Sequence, residues 1–237
     1  MPRKPAKPKT PVAPPPRTSR KAQKEATRLQ LLAAARSVFE QQGYAGTQMA
    51  DIARAADVAI GTLYIHFDGK ELLFDALLED FNQALAEKLT ALQPYFARGD
   101  LATGVAQGAR LFLDHWTGRR AFVIAAMQRL GAGVTVGQLR DGINPPAVAF
   151  LTASLSQALE YTPAHRRGAA PVESDTVPLL VQGLLALWMR LGLQAVFGTA
   201  ATRAQAERLL TTMTLGALQS SLPQLQSLTT TRPALGA

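Results

Sequence analysis

The chain has 237 residues, 47% of them hydrophobic, which is room for one large or two modest domains with a substantial core. It has no cysteine, which excludes disulfides and thiolate metal sites and fits a cytoplasmic protein. The net charge of +8 sits at one end: residues 1–28 hold nine Lys or Arg against Glu25 alone, and the remaining 209 hold sixteen of each sign. The basic balance therefore describes a tail and not a basic globule.

Residues 1–19 carry seven of the chain's 15 prolines and almost nothing large and apolar to bury. A disordered arm with polyproline II character is expected. No apolar run follows the basic start, so it does not read as a signal peptide. Two readings stay open. One is a solubilising leader. The other is an arm that tracks DNA phosphates through Arg17, Arg20, Lys21 and Lys24.

The first helix is expected from near Ser19 to Gln42, because Leu29, Leu32, Ala33, Ala35, Val38 and Phe39 recur at helical spacing. Gly43 ends it. A second short helix follows Thr47, and a third follows the turn at Asp57-Val58. Across them Ile52, Ala53, Ala56, Val58, Leu63 and Phe67 lie where two small helices pack crosswise. Thr47, Gln48, Thr62, Tyr64, His66 and Lys70 are left over for the outside. A helix-turn-helix needs that division, with one side of the second helix buried and the other free to enter a DNA groove.

A fourth helix is expected from Asp68, as N-cap, to about Leu92 before Pro94. Its apolar face is Leu72, Leu73, Ala76, Leu77 and Phe81. Helical periodicity returns at 101–116, 121–130, 145–161, 177–197 and 201–222, punctuated by Gly118, the glycines of 131–137, Thr162-Pro163 and a polar loop at 165–175. From Pro223 onward a frayed tail is expected. Segment 177–197 is apolar enough to suggest a membrane span, but Gln182, Arg190 and Gln194 interrupt it. An arginine at mid-span costs about 2.5–3.5 kcal/mol. A buried helix of a protein without a membrane partner explains it better.

Gly61-Thr62-Leu63-Tyr64-Ile65-His66-Phe67 and Lys70-Glu71-x-Leu73, with Phe39, Gly43-Tyr44, Thr47 and Ile52-Ala53 upstream, resemble the TetR family of bacterial transcriptional regulators. The resemblance covers residues 29–74. It implies an all-α homodimer: a three-helix DNA-binding domain at 20–67 and a helical ligand-binding and dimerisation domain at 68–222, flanked by the arm (1–19) and the tail (223–237). It also implies roles. Thr47 and Gln48 would meet the phosphate backbone. Ile60, Gly61, Thr62 and Ile65 would face bases or sugar in the major groove. Tyr64, His66 and Lys70 would hold phosphates. The DNA would be a palindromic operator, released when a small apolar or amphipathic effector binds.

Three positions depart from the family pattern. Ala59 stands where Ser or Thr usually caps the recognition helix, a loss of about 1 kcal/mol. Asp57 stands where Gly is usual, and Asp tolerates left-handed backbone better than most residues. Ile60 stands where Lys or Arg is frequent; it can touch a thymine methyl but cannot read guanine.

No cofactor or metal is expected. His66, His115 and His165 are far apart, and no HExxH, CxxC or GxSxG occurs. The glycines at 131–137 lack the strand and spacing of a phosphate loop. Gly104 and Gly108 read as close helix packing. Candidate effector-pocket residues are Phe112, His115, Trp116, Met127, Gln182, Trp188 and Arg190. The polar ones among these equally suit a dimer interface or solvent. The rival to a regulator is a nonspecific architectural DNA-binding protein driven by the basic arm. The neutral remainder argues against it.

Overall fold

The computed structural model describes residues 19–130, 145–160, 175–222 and 225. Among them are ten helices and no strand: α1 (Arg20–Gly46), α2 (Met49–Ala55), α3 (Ile60–His66), α4 (Lys70–Thr90), α5 (Gln93–Ala97), α6 (Leu101–Thr117), α7 (Arg120–Leu130), α8 (Pro145–Glu160), α9 (Thr176–Phe197) and α10 (Ala200–Ser221). The expected all-α fold is observed. Most of the arm, including Arg17, lies outside the described residues, as do the 131–137 glycines and His165.

Each helix starts and stops for a local reason. Ser19 Oγ accepts from Ala22 N at 3.2 Å and caps α1. Gly43, at φ 70 and ψ 173, breaks the helical path inside α1, a left-handed turn that glycine makes without a Cβ penalty. Asp100 caps α6 by accepting from Thr103 N, and Thr199 and Thr202 form a reciprocal capping box at α10. Asp68 does not cap α4; extended Gly69 takes that position and no side chain caps it. Instead of running on to about Leu92, the chain ends α4 at Thr90 and restarts as α5. Pro94 fits in the first turn of α5, where its missing N–H leaves no bond unmade.

The core is continuous from head to body. Leu31, Ala35, Phe39, Ile52, Leu63, Leu73 and Phe74 are fully buried where α1 to α4 meet. Phe39, Tyr44, Phe74 and Phe122 stack edge and face from α1 through α4 to α7. Contacts between α1 and α7 are the most extensive of any helix pair. Several expectations fail. Leu29 and Leu72 are 58% and 54% exposed and Ala33 is exposed too, so none of the three belongs to the core. Leu225 is fully buried and donates its N–H to Leu222 O, so the tail is not frayed at that residue.

Candidate nucleic-acid interface and apolar cavity

The helix-turn-helix is built as its residues require. After α2 the chain closes in a Schellman arrangement: Val58 N–H to Ala53 O at 3.0 Å, and Asp57 N–H to Arg54 O at 3.1 Å. Asp57 sits between them at φ 50, the left-handed position where the family usually has glycine. From α1, Gln30 Nε2 donates to Ala56 O at 2.6 Å and the Arg28 guanidinium lies 5.1 Å from the Phe67 ring centroid. These two ties fix the turn and the end of α3 against α1. Sequence reasoning missed both, because they join residues 26 and 39 positions apart.

Leu63 anchors α3 in the core, while Ile60, Tyr64 and Ile65 stand exposed at 44%, 49% and 74%. Gly61 is exposed too, and a Cβ there would meet nothing within 4 Å. Ala59 offers no side-chain cap, as expected. Thr62 and His66 are half-buried on the same helix. Gln48 is exposed and its side chain caps nothing, so it is free for a partner. Arg20, Lys21 and Lys24 are exposed on the first turns of α1, and so are held on a helix and not in an extended arm.

Two expected phosphate contacts turn inward. Thr47 is 2% exposed and its hydroxyl donates to Gly43 O at 2.7 Å. Lys70 Nζ donates to Tyr44 O at 3.0 Å and Thr47 O at 3.1 Å, and lies 4.6 Å from the Tyr44 ring centroid. Both residues close the carbonyls left open where α1 breaks. Tyr44 Oη in turn donates to Glu71 Oε1 at 3.1 Å. Desolvation, then that bond, raises the Tyr44 hydroxyl above its ordinary pKa. A hydrogen bond from its own backbone, then Tyr44, lowers Glu71.

The body encloses a cavity of about 50 Å³. Leu85 and Leu89 of α4, Phe96 of α5, Val105 of α6, Leu151 and Leu155 of α8 and Val181 of α9 form its walls. Gly104 and Gly108 let α6 approach: a Cβ on Gly108 would come within 3.3 Å of Leu92 and 3.4 Å of Trp188. Phe112 and Trp188, two of the candidate pocket residues, line it with ring centroids 5.5 Å apart. Among its described lining residues Thr214 is the one with a polar side chain besides Trp188, and it accepts from Trp188 Nε1 at 2.8 Å. Trp116 borders a smaller space of about 20 Å³ that shares Leu85, Phe112 and Leu185 with the first.

The other expected pocket residues are elsewhere. Gln182 and Arg190 are exposed on the outside of α9, and Met127 on α7 lines neither space. His115 is 2% exposed but points away from both. Its Nε2–H donates to Phe81 O at 3.0 Å, leaving Nδ1 to face Lys88 Nζ at 3.4 Å. Burial, then the charges of Lys88 and Arg119, lowers its pKa to about 4. Among the described residues, no group of three or more His, Cys, Asp or Glu could hold a metal ion.

Residues 31–77 match the family model for bacterial regulatory proteins of the tetR family. The HTH-type transcriptional regulator TtgR of Pseudomonas putida is 42% identical over 67 residues, 28% of this chain and 31% of that protein. The HTH-type transcriptional repressor KstR of Mycolicibacterium smegmatis is 35% identical over 131 residues, 52% of this chain and 62% of that protein. The chain therefore spans less than two thirds of the length of either relative. The fold extends further: a TetR-family transcriptional regulator from Streptomyces coelicolor superposes with a TM-score of 0.62 at 18% identity, covering 90% of this chain and 92% of the other. The recognition motif and three-helix head match bacterial regulatory proteins of the tetR family over residues 31–77, and the helical body has the fold of such a regulator.

Proposed function

We propose that the protein is a one-component transcriptional regulator, a homodimer that binds a palindromic operator and releases it when a small molecule enters the body cavity. The observation that carries this reading is the outer face of α3. Exposed Ile60, Tyr64 and Ile65 have no packing reason to be there. Gly61 has no steric reason to be glycine. A glycine within a helix costs about 1 kcal/mol against alanine. An outside surface that presses close to the backbone accounts for that cost. Ile60, Gly61, Thr62 and Ile65 would meet base edges or sugar, and Gln48, Tyr64 and His66 the phosphates.

The dimer would form through α9 and α10. Leu179 and Phe197 on α9 and Leu209 and Met213 on α10 are exposed apolar side chains on neighbouring helices. Gln182 and Arg190 would lie at that interface. Two-fold pairing sets two recognition helices about 34–36 Å apart, one turn of DNA. The helix α9 is long and apolar enough to cross a membrane. Its packing on α6, α8 and α10 supports a core and interface role instead.

The helix α4 couples the two functions. Its first turn holds the head through Lys70, and its second half walls the cavity through Leu85 and Leu89. The span from Lys70 to Leu85 is about 22 Å at 1.5 Å per residue. An effector that fits better when α4 shifts would weaken DNA binding, and DNA would weaken the effector by the same factor.

Selection of bound sequences from random DNA tests the reading. A palindrome with half-sites one turn apart is the expected product; no enriched sequence would favour the architectural alternative. Deleting residues 1–18 separates the two readings of the arm. A DNA-tracking arm lowers the magnitude of the salt slope by about 0.9 for each phosphate no longer neutralised, with the preferred sequence unchanged. A leader leaves the slope as it was.

A further inference from the structure

The two spaces in the body carry chemistry that narrows what can enter. The described lining of the main chamber has no charged side chain. Thr214, the one polar side chain there besides Trp188, already accepts from Trp188. A carboxylate or ammonium placed there would lose its water and find no counter-charge. The second chamber is bordered by Trp116, a residue the main chamber lacks. Trp116 is 7% exposed, and its Nε1–H is buried with no acceptor among the described residues. The Cε3 edge of the same indole packs towards Gly192 on α9, so Nε1 lies on the opposite edge. The other polar residue bordering that chamber, Asn82, is already engaged. A buried N–H without an acceptor destabilises the fold, and a ligand oxygen relieves that cost.

We propose that the part of the effector buried in the body is an uncharged apolar frame bearing one acceptor oxygen, such as a ketone, ester or ether oxygen. The frame fills the main chamber between α4, α6, α8 and α9. The oxygen accepts from Trp116 Nε1–H in the second. This rests on the reading of the cavity as the effector site. At about 50 Å³ the main chamber is smaller than such a frame, so Leu85, Leu151 and Leu155 must move apart to admit it. The wall rearranged would then include α4.

The chain has two tryptophans, and both border these chambers, so intrinsic fluorescence of the DNA-free protein reads occupancy directly. Four probes of similar length separate the chemistries: methyl octyl ketone, decane, decanoate and decylammonium at pH 7. The ketone should bind best. Decane should bind roughly 3–10-fold more weakly for want of the hydrogen bond. Decanoate and decylammonium should be weaker than the ketone by roughly 100-fold or more. Trp116→Phe should bring the ketone below decane, because its oxygen is then buried without a donor, and leave decane binding unchanged, which also shows that the variant is folded. Equal binding of decanoate and ketone overturns the proposal. So does a ketone affinity that Trp116→Phe does not change, and so does no binding of any probe. If the ketone binds but leaves operator affinity unaltered, the ligand class stands and the regulatory coupling fails.

Discussion

Gln128 Oε1 accepts the Tyr44 N–H at 2.9 Å, and its amide fills the space a Cβ on Gly43 would enter, 2.5 Å away. One side chain of α7 thus holds the left-handed break of α1 from outside. Gln128→Ala should cost roughly 1 kcal/mol, the net value of one exposed hydrogen bond. Gly43→Ala should cost more, because the left-handed backbone adds roughly 1–2 kcal/mol for a residue with a Cβ. Because both act on one contact, the double variant should be less destabilised than the sum. Urea unfolding of the three proteins checks this, and strict additivity would mean the contact is idle.

Lys70 separates a structural role from a DNA role. Its ammonium is held by two carbonyls and faces the Tyr44 ring. Lys70→Met should lower stability by roughly 1.5 kcal/mol, the low end for charged donors because the site is half-buried. The salt slope of DNA binding should stay where it is. A slope smaller by about 0.9 would restore Lys70 as a phosphate contact.

At Gly61 stability and function should move in opposite directions. Alanine meets no atom within 4 Å of its Cβ, so nothing in the fold resists it. Gly61→Ala should raise stability by up to about 1 kcal/mol. It should also weaken operator binding, since the new methyl stands where the DNA must approach. Thermal unfolding and operator titration on the same protein measure both. A variant as tight on DNA as the parent removes the close-approach argument.

His115 gives the fold a pH dependence of known sign. Its folded pKa of about 4 lies below the ordinary 6.5, so between those values the unfolded chain binds a proton that the folded chain does not. Stability therefore rises with pH across that window, is complete above about 6.5 and is lost by about 4. The size is roughly 3 kcal/mol. His115→Gln keeps a donor for Phe81 O and cannot titrate. The difference between the two proteins' stabilities should shrink or reverse as pH falls from 6.5 to 4. A constant difference across the window would refute the assignment.

Most of the architecture was legible because helical periodicity reports burial directly. Leu32, Ala35, Val38, Phe39, Leu63, Leu73, Leu77 and Phe81 are core where their spacing puts them, while fully buried Leu31 was not picked out. The failures among the polar residues of the head share one cause. Periodicity does not tell what a polar group touches at long range, so Lys70 and Thr47 read as DNA contacts when α1 needed them as caps. Gln128, Gln30 and Arg28 went unnoticed for the same reason. In the body, aromatic content found Phe112, Trp116 and Trp188 but not the leucines of α4 and α8 that complete the chamber. Leucine is too common to mark a cavity. Polar residues on α9 suggested ligand contacts, yet they face outward, since a helix long and apolar enough to be core still has an outer side.

The apolar chamber also sets a mechanical property. A void lined by apolar side chains attracts little water and is surrendered when the chain unfolds, so the unfolded system occupies less volume. For about 50 Å³ the decrease is on the order of tens of mL/mol. Hydrostatic pressure should accordingly open the body around α4, α6, α8 and α9, and a ligand that occupies the chamber should protect it. Compression would then distinguish the empty protein from the filled one without reference to DNA at all.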